Sequence, residues 1–324
     1  MDSSSIEVIE ISVVVPVYNE QENLDYLFQR LLGVLKNLGL TYEIICINDG
    51  SRDDTLKGLL DYHYQCPEIK IVNLSRNFGK EIALSAGLDY TQGKVVVIID
   101  ADLQDPPELI GELLLKWREG YDVVYATRRS RAGESWLKRL TAFGFYRVLN
   151  LISEVAIPDN TGDFRLLDRR VVEALRQIPE RNRFMKGLFS WVGYKQTAVV
   201  FDRPPRHRGI SSWNYWKLWN FALEGLTSFS FMPLKIWSYV GLAIALPAVF
   251  YATYLILRTL IFGIDVPGYA SLMVAVLFFG GIQLVTLGVI GEYLGRIYQE
   301  VKGRPLYFVR DIYGFERPRD QDIK

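Results

Sequence analysis

The sequence is poor in the residues that build disulfide frameworks and zinc sites. Its 324 residues include only two cysteines and two histidines. Two cysteines cannot form a framework, and Cys46 lies in an apolar strand pattern, so we expect free thiols in a reducing compartment. The histidines, His63 and His207, lie far apart in the chain and lack the ligand spacing of a zinc site.

Net charge and the common nucleotide-binding fingerprints are also missing. Lys plus Arg and Asp plus Glu both number 37, so net charge gives no reason to expect a nucleic acid partner. Neither Gly-x-Gly-x-x-Gly nor Gly-x-x-x-x-Gly-Lys-Ser/Thr occurs, which disfavours a dehydrogenase and a P-loop kinase. The first eleven residues contain three acids and no Lys or Arg, so we expect no signal peptide.

Long uncharged stretches are present, and both lie in the last third of the chain. Residues 236–257 and 266–291 contain no charged side chain. A helix rises about 1.5 Å per residue, so each stretch can cross a hydrocarbon core of about 30 Å. Basic residues flank the pair on its outer sides, which predicts cytoplasmic termini. We expect an integral membrane protein, and the alternative is a buried hairpin of a soluble domain; the resemblance described below implies a bacterial-type inner or plasma membrane.

The N-terminal half alternates β-branched apolar runs with segments of helical periodicity. The predicted strands are Ile11–Val17, Tyr42–Asn48, 70–74, 95–100 and 121–126. The predicted helices are 23–37, 53–64, 80–91 and 107–119. This alternation predicts an α/β domain with a mostly parallel sheet that is covered by helices on both faces.

An acidic pair follows the fourth predicted strand. The apolar run of residues 95–99 ends in Asp100-Ala101-Asp102, and a helix start at Pro106-Pro107 follows. Two crowded carboxylates repel each other, and Mg²⁺ or Mn²⁺ explains their pairing because hard cations take oxygen ligands and bridge to phosphates. Open α/β sheets bind ligands at the carboxyl ends of strands. Asp105, just before the prolines, is expected to cap the helix.

Motifs at three strand ends carry a family resemblance. They are Val15-Pro16-Val17-Tyr18-Asn19-Glu20, Asn48-Asp49-Gly50-Ser51 and Asp100-Ala101-Asp102-Leu103-Gln104. Together they resemble the inverting glycosyltransferases of family 2, which have a Rossmann-like GT-A domain. Residues 74–80, 161–166 and 291–298 are similar to polyprenyl-phosphate glycosyltransferases. GtrB-like bacterial undecaprenyl-phosphate glucosyltransferases are the nearest type, and dolichol-phosphate mannosyltransferases are relatives.

The resemblance implies a division of the chain into four parts. Residues 1–210 form a cytosolic catalytic domain, 211–234 an amphipathic interfacial helix, 235–292 two transmembrane helices and 293–324 a cytosolic tail. Trp213, Trp216 and Trp219 recur at helical spacing in the second part, as an interfacial helix requires. A weaker stripe around Trp136 fits a second interfacial helix or ordinary core packing. Residues 301–310 predict a short strand, which could serve an oligomer contact.

The resemblance also assigns the donor site. Its residues are Pro16, Tyr18, Glu20 and Asp49 around the nucleoside, with Lys80, Asp100, Ala101, Asp102 and Arg206 toward the diphosphate. Asp100, Asp102 and Gln104 are the expected ligands of Mg²⁺ or Mn²⁺. Ser212 replaces a Lys that is common in relatives, and Lys217 or Arg208 could compensate. Arg128 and Arg131 fit a clamp for the acceptor phosphate, or a solvated basic turn.

Asp163, in Thr161-Gly162-Asp163-Phe164-Arg165-Leu166, matches the catalytic aspartate of the family. A lipid phosphate is already anionic and hardly needs a general base. Asp163 therefore either orients the acceptor, holds the sugar or supports the metal, and Asp159 is the rival candidate.

The expected activity is inverting transfer of one sugar, from UDP-glucose to undecaprenyl phosphate at the cytoplasmic membrane face. GDP-mannose or another sugar nucleotide is the alternative donor. A processive synthase is disfavoured because Gln-x-x-Arg-Trp is absent. A non-catalytic membrane scaffold or lipid-translocation partner is the rival from another class, and self-association into a homo-oligomer is left open.

Overall fold

The protein is built on one eight-stranded mixed sheet. The computed structural model describes residues 9–102, 104–128, 161–181, 183–201 and 268–315, with part of the stretch 239–262. The strands are β1 Ile11–Val17, β2 Tyr42–Asn48, β3 Ile69–Leu74, β4 Val95–Ile98, β5 Val123–Arg128, β6 Thr161–Asp168, β7 Gln196–Phe201 and β8 Val309–Tyr313. Their order in the sheet is β7-β5-β6-β4-β1-β2-β3-β8. β4-β1-β2-β3 and the pair β5-β7 are parallel, while β6 and β8 run antiparallel to their neighbours.

Helices cover both faces of the sheet and give it two apolar cores. They are α1 Leu24–Leu38, α2 Thr55–Gln65, α3 Lys80–Tyr90, α4 Ile110–Arg118, α5 Arg169–Arg176 and α6 Met185–Trp191, and a further long helix, α7 Tyr269–Val301, follows β7 in the chain. Buried side chains of α1, α2 and α4 pack on one face, and those of α3, α5 and α6 pack on the other. The central strands are buried on both faces, which explains their nearly continuous apolar sequences.

Strand β6 decides where the motif around Asp163 lies. It inserts antiparallel between β4 and β5, and its register pairs Val95 with Asp168 and Ile98 with Arg165. Continuing that register by two residues places Asp163 opposite Asp100. Two segments that are 63 positions apart in the sequence therefore meet at the carboxyl end of β4.

The predicted α/β architecture is confirmed, and its element bounds differ in small ways. β4 ends at Ile98 rather than at residue 100, because its pairing with β6 stops there. A 3-10 turn at Pro107–Leu109 precedes α4, whose α-helical part begins at Ile110. Pro106 occupies the cap position of that turn and no side chain caps it, so the assignment of Asp105 as the cap is wrong by one position. Two adjacent prolines, which lack N–H donors, leave little for a side-chain cap to bind.

The chain returns to the eight-stranded sheet after its long helix. α7 has 33 residues, and its segment Phe278–Val301 is the one helix of the described part that is long and apolar enough to cross a membrane. The described residues between 239 and 262 are also helical. After α7, β8 pairs antiparallel with β3 of the same chain and completes the sheet. The strand predicted within residues 301–310 therefore lies later, at Val309–Tyr313, because residue 301 still belongs to α7, and its partner is a strand of the same chain.

Side chains connect this last strand to the turn after β2. Asn73 Nδ2 donates to Asp311 Oδ2 at 2.9 Å, and Asn48 Nδ2 donates to Asn73 Oδ1 at 2.9 Å. Asn48 Oδ1 in turn accepts from the backbone N–H of Ser51 at 3.3 Å. A chain of side-chain hydrogen bonds thus runs from Asp311 in β8 through Asn73 in β3 to Asn48 in β2, and it ends at the motif that follows β2.

Candidate active site

Lys80, Asp100 and Asp163 form the centre of the candidate site. Lys80 Nζ lies 2.7 Å from Asp100 Oδ1 and 2.8 Å from Oδ2, and it donates to Asp163 Oδ2 at 2.5 Å. Only the contact to Oδ2 of Asp100 has hydrogen-bond geometry, so Oδ1 is buried without a hydrogen-bond partner, as is Asp163 Oδ1. The structure therefore brings together three residues that the motifs singled out separately.

Charge in this cluster is distributed unevenly between the two aspartates. Burial raises the pKa of both carboxyls, but Lys80 and then Lys186 outweigh it at Asp163 and hold the pKa of Asp163 well below its usual range. At Asp100 burial prevails over Lys80, and repulsion from Asp163 and Asp102 adds to it, so the pKa of Asp100 is raised. Asp163 is thus the more firmly ionised of the two.

Lys186, Glu81 and Arg165 surround Asp163 on the same face of the sheet. Lys186 Nζ, at the start of α6, lies 3.9 Å from Asp163 Oδ1. Glu81 Oε2 accepts from the backbone N–H of Met185 at 3.0 Å, which ties α3 to α6. Burial, followed by repulsion from Asp163, raises the pKa of Glu81 to about 7. The buried guanidinium of Arg165 lies 3.9 Å from the centre of the Phe189 ring.

Asp49 braces the loop that leads into α3. Its carboxylate is buried, with Oδ1 accepting from the N–H of Phe78 at 2.7 Å and Oδ2 from that of Gly79 at 2.9 Å. Gly79 is the N-cap of α3 at a φ of 99°, in the region that glycine tolerates, and Lys80 follows it. Asp49 therefore sets the position of Lys80. The resemblance implies that Asp49 also contacts the nucleoside. Such a contact would be made by a buried carboxylate whose two oxygens already accept hydrogen bonds from Phe78 and Gly79.

The other expected nucleoside residues lie on the turn after β1. Tyr18 is 40% exposed, which leaves its ring accessible for stacking. Glu20 Oε2 accepts from Asn23 Nδ2 at 2.5 Å. Asn19, at a φ of 54°, accepts from the N–H of Arg52 at 2.8 Å and so joins this turn to the one after β2. Pro16 lies in β1 and is half-buried, between the buried residues Val15 and Val17.

The acidic pair offers donors that suit a divalent cation. Asp102 Oδ1 accepts from the N–H of Gln104 at 3.2 Å, Ala101 is buried between the two aspartates, and Gln104 is buried with its Nε2 unpartnered. Among the described residues, no three His, Cys, Asp or Glu side chains form a ready cage. Asp100 Oδ1 has no hydrogen-bond partner but lies 2.7 Å from Lys80 Nζ, so a cation that takes this oxygen as a ligand has to share it with Lys80 or displace Lys80 from it.

Several expected site residues have side chains that lie outside the described part of the chain. The backbone of Arg128 closes β5, but its side chain is not described. Outside the described residues lie Arg131, Arg206, Arg208, Ser212, Lys217, Asp159, Trp136 and the tryptophans at 213, 216 and 219. Their roles stay predictions.

Sequence reasoning missed Glu81 and Lys186. Glu81 directly follows a quoted motif, so its neighbourhood could have drawn attention to it. Lys186 lies in Phe184-Met185-Lys186-Gly187, which has no recognisable spacing to Asp163. Only the packing of α6 beside α3 brings Lys186 to the site.

Two family models match the chain. Residues 12–176 match the model described as Glycosyl transferase family 2, and residues 232–297 match the GtrB C-terminal hairpin. The first match spans more than half of the 324 residues. The chain therefore belongs to glycosyl transferase family 2 and is a glycosyltransferase, and its mixed α/β sheet is of the GT-A type.

Relatives match nearly the whole chain. An uncharacterized glycosyltransferase of Synechocystis sp. is 66% identical over 95% of this chain and 97% of its own length. The SfII prophage-derived bactoprenol glucosyl transferase of Shigella flexneri is 48% identical over 93% of this chain and 98% of its own. A prophage bactoprenol glucosyl transferase homolog of Escherichia coli is 47% identical over 94% and 99%, respectively.

Solved structures are similar at a lower level. Mannosyl-3-phosphoglycerate synthase from Rubrobacter xylanophilus aligns with a TM-score of 0.47 and 18% identity, over 67% of this chain and 71% of that chain.

Proposed function

We propose that the chain transfers one glucose unit from UDP-glucose to undecaprenyl phosphate at the cytoplasmic face of the membrane. The observation that carries the proposal is the Asp100–Lys80–Asp163 cluster at the carboxyl ends of the central strands, in a chain of glycosyl transferase family 2. The relatives named bactoprenol glucosyl transferases, at 47–48% identity over more than nine-tenths of both chains, support the sugar and the lipid.

The chain's own residues would divide the work between donor and acceptor. Tyr18 and the residues beside it would line the nucleoside. Asp100 and Asp102, with Gln104, would hold Mg²⁺ or Mn²⁺, which stabilises the charge of a departing diphosphate when bound. Arg206 would add a diphosphate contact.

In the proposed transfer, a phosphate oxygen of the lipid forms a bond to the anomeric carbon as the bond from that carbon to the nucleotide breaks on the opposite face. The configuration inverts, and UDP carries the electron pair away. The lipid phosphate is already anionic, so no proton has to be removed. Because the pKa of Asp163 is held low by Lys80 and Lys186, Asp163 is a poor base, and we assign it to orienting the sugar and the acceptor. Arg128 and Arg131 would clamp the phosphate.

The connection of α7 to the sheet supports two membrane spans. β7 and β8 belong to the same sheet, and α7 lies between them in sequence. A chain that leaves this sheet and returns to it crosses a bilayer an even number of times. With Phe278–Val301 as one span, the stretch 236–257 supplies the other. Both termini and the catalytic domain then lie in the cytoplasm, with residues 211–234 at the interface.

The test is UDP release by purified, reconstituted protein with Mg²⁺, with and without undecaprenyl phosphate. UDP-glucose is compared with GDP-mannose and other sugar nucleotides. We expect lipid-dependent turnover with UDP-glucose that Asp102→Ala abolishes and Asp163→Asn lowers by about 10²-fold or more. Asp61→Asn, a change of an exposed acid on α2, is the matched control and should leave the rate unchanged.

Each contrary outcome has a distinct meaning. Turnover with GDP-mannose alone would replace glucose by mannose in the proposal. Release of UDP that does not depend on the lipid would overturn the assigned acceptor. Folded protein that turns over no donor would favour the scaffold or translocation partner.

A further inference from the structure

One ammonium group joins two carboxylates that the motifs assign to different tasks. Lys80 Nζ contacts both oxygens of Asp100 and also Asp163 Oδ2. Asp100 belongs to the expected cation pair, and Asp163 occupies the expected catalytic position. Lys80 therefore physically couples the donor side of the site to its reaction side.

The backbone of Lys80 is fixed, while its side chain has room to move. Asp49 anchors Phe78 and Gly79 from a buried position, and α3 begins at Lys80. α3 then packs on the core through Ala83, Leu84 and Ala86. The Lys80 side chain is 42% exposed, so the ammonium can exchange partners without moving the helix.

Lys80 and a divalent cation would compete for the same ligand. Because Nζ lies within 2.8 Å of both oxygens of Asp100, a cation that takes either oxygen has to displace or repel the ammonium. Removal of Lys80 would leave Asp100 beside Asp102 and Asp163, and Asp163 beside Glu81, with Lys186 as the cation that acts on Asp163 and Glu81. Such an excess of negative charge attracts a divalent cation.

We propose that Lys80 is the resident counter-ion of the donor site: it neutralises Asp100 while the site holds no donor, yields Asp100 to the donor's cation, and stays paired with Asp163. The inference rests on the proposed function for the cation that it invokes. Lys80 is a positioning residue in this scheme, because it acts on the donor site and on Asp163 through their charge. It also makes the site bind a bare cation weakly, so that cation and diphosphate are favoured together.

The test measures Mn²⁺ binding to the full-length protein in detergent, without donor or lipid, at pH 8. The electron paramagnetic resonance signal of free Mn²⁺ gives the dissociation constant. We expect Lys80→Met to bind Mn²⁺ about tenfold more tightly than the wild type, because a competing charge is removed. Lys80→Arg keeps the charge and should not bind more tightly. Lys186→Met removes a cation whose contact, with Asp163 Oδ1 at 3.9 Å, is longer than the 2.7 Å contact of Lys80 with Asp100, and should change the affinity less than about twofold.

Folding is checked by circular dichroism and thermal unfolding, and Lys80→Gln replaces Lys80→Met if the latter does not fold. The proposal is overturned if the neutral variants bind Mn²⁺ no more tightly than the wild type, including the case in which none binds. It is also overturned if Lys186→Met gains as much affinity, since a general loss of charge would then explain the effect. Mn²⁺ binding requires neither sugar nucleotide nor lipid, so a failure of UDP release would count against the proposed function alone.

Discussion

At the scale of single residues, two glycines with the same backbone conformation have very different surroundings. Gly50, after Asp49, and Gly39, after α1, both have a φ of 64°. A Cβ on Gly50 would lie 2.4 Å from the carbonyl carbon of Arg76 and 2.5 Å from the nitrogen of Asn77, whereas nothing lies within 4 Å of one on Gly39. The turn after β2 thus packs directly on the backbone that leads to Lys80.

Substitution of these two glycines by alanine distinguishes the cost of a left-handed backbone, which both share, from the cost of steric overlap, which only Gly50 has. We expect Gly39→Ala to cost about 1 kcal/mol, the strain of a left-handed alanine. Gly50→Ala should cost about 2–4 kcal/mol, because the opposing backbone has to move as well. Thermal unfolding of the two variants in detergent measures the difference, and equal losses would show that the overlap at Gly50 relaxes without cost.

The carboxyl of Glu81 predicts a dependence of stability on pH. Burial raises its pKa from 4.5 to about 7, so the folded protein holds this proton more tightly than the unfolded chain does. The resulting penalty is absent below pH 4.5, grows between 4.5 and 7, and is complete above 7. The wild type should therefore lose stability relative to Glu81→Gln as the pH rises through this window.

The measurement is the difference in Tm between Glu81→Gln and the wild type at pH 5, 6, 7 and 8. The amide oxygen of Gln can still accept from the N–H of Met185, so the link to α6 remains. Glu112→Gln, on the exposed face of α4, controls for loss of a charge. A difference in Tm that stays constant with pH, or that shrinks as the pH rises, would contradict the prediction.

At the scale of secondary-structure elements, β8 is the element that protects the edge of the sheet. It pairs with β3 from Ile71 to Leu74 and buries Val309 and Ile312 partly against the core. A chain that ends at residue 308 should lose about 2–4 kcal/mol and aggregate, because β3 is left as an apolar edge strand. A chain that ends at residue 315 keeps β8 and is the matched control. Thermal unfolding and size-exclusion chromatography compare the two, and equal behaviour would show that β8 contributes nothing.

The same elements show how far the sequence could predict the fold. The alternation of β-branched runs and helical segments predicted β1 to β5 and α1 to α4 to within a few residues. It did not predict that β6 inserts between β4 and β5, since antiparallel insertion depends on pairing between distant segments. The motifs singled out Asp100 and Asp163 separately, but their meeting through Lys80 needed that insertion. Lys186 was missed because only helix packing relates it to the site.

At the scale of the whole molecule, the return of the chain to its sheet predicts membrane topology. A cysteine at Asp265, in the short segment between the two uncharged stretches, should face the outside, and one at Lys302, after α7, should face the cytoplasm. Both variants are made in a protein that carries Cys66→Ser, so that no partly exposed native thiol reacts; Cys46 is buried and is left in place. In intact cells a membrane-impermeant maleimide should label Asp265→Cys but not Lys302→Cys, which becomes reactive only after permeabilisation. Labelling of both positions in intact cells would contradict two spans, and labelling of Lys302→Cys alone would contradict cytoplasmic termini.

Because β8 follows α7 in the sequence, the sheet can be completed only after α7 has been synthesised. Seven strands of the sheet come from residues 11–201, but the eighth comes from residues 309–313, after α7. While the ribosome makes the intervening hundred or so residues, the new domain has β3 at an uncovered edge. The apolar helix therefore emerges before the sheet is closed. In the proposed topology, α7 is therefore available to the bilayer before β8 has been synthesised, and a chain that ends before residue 309 would lack the last strand of the sheet.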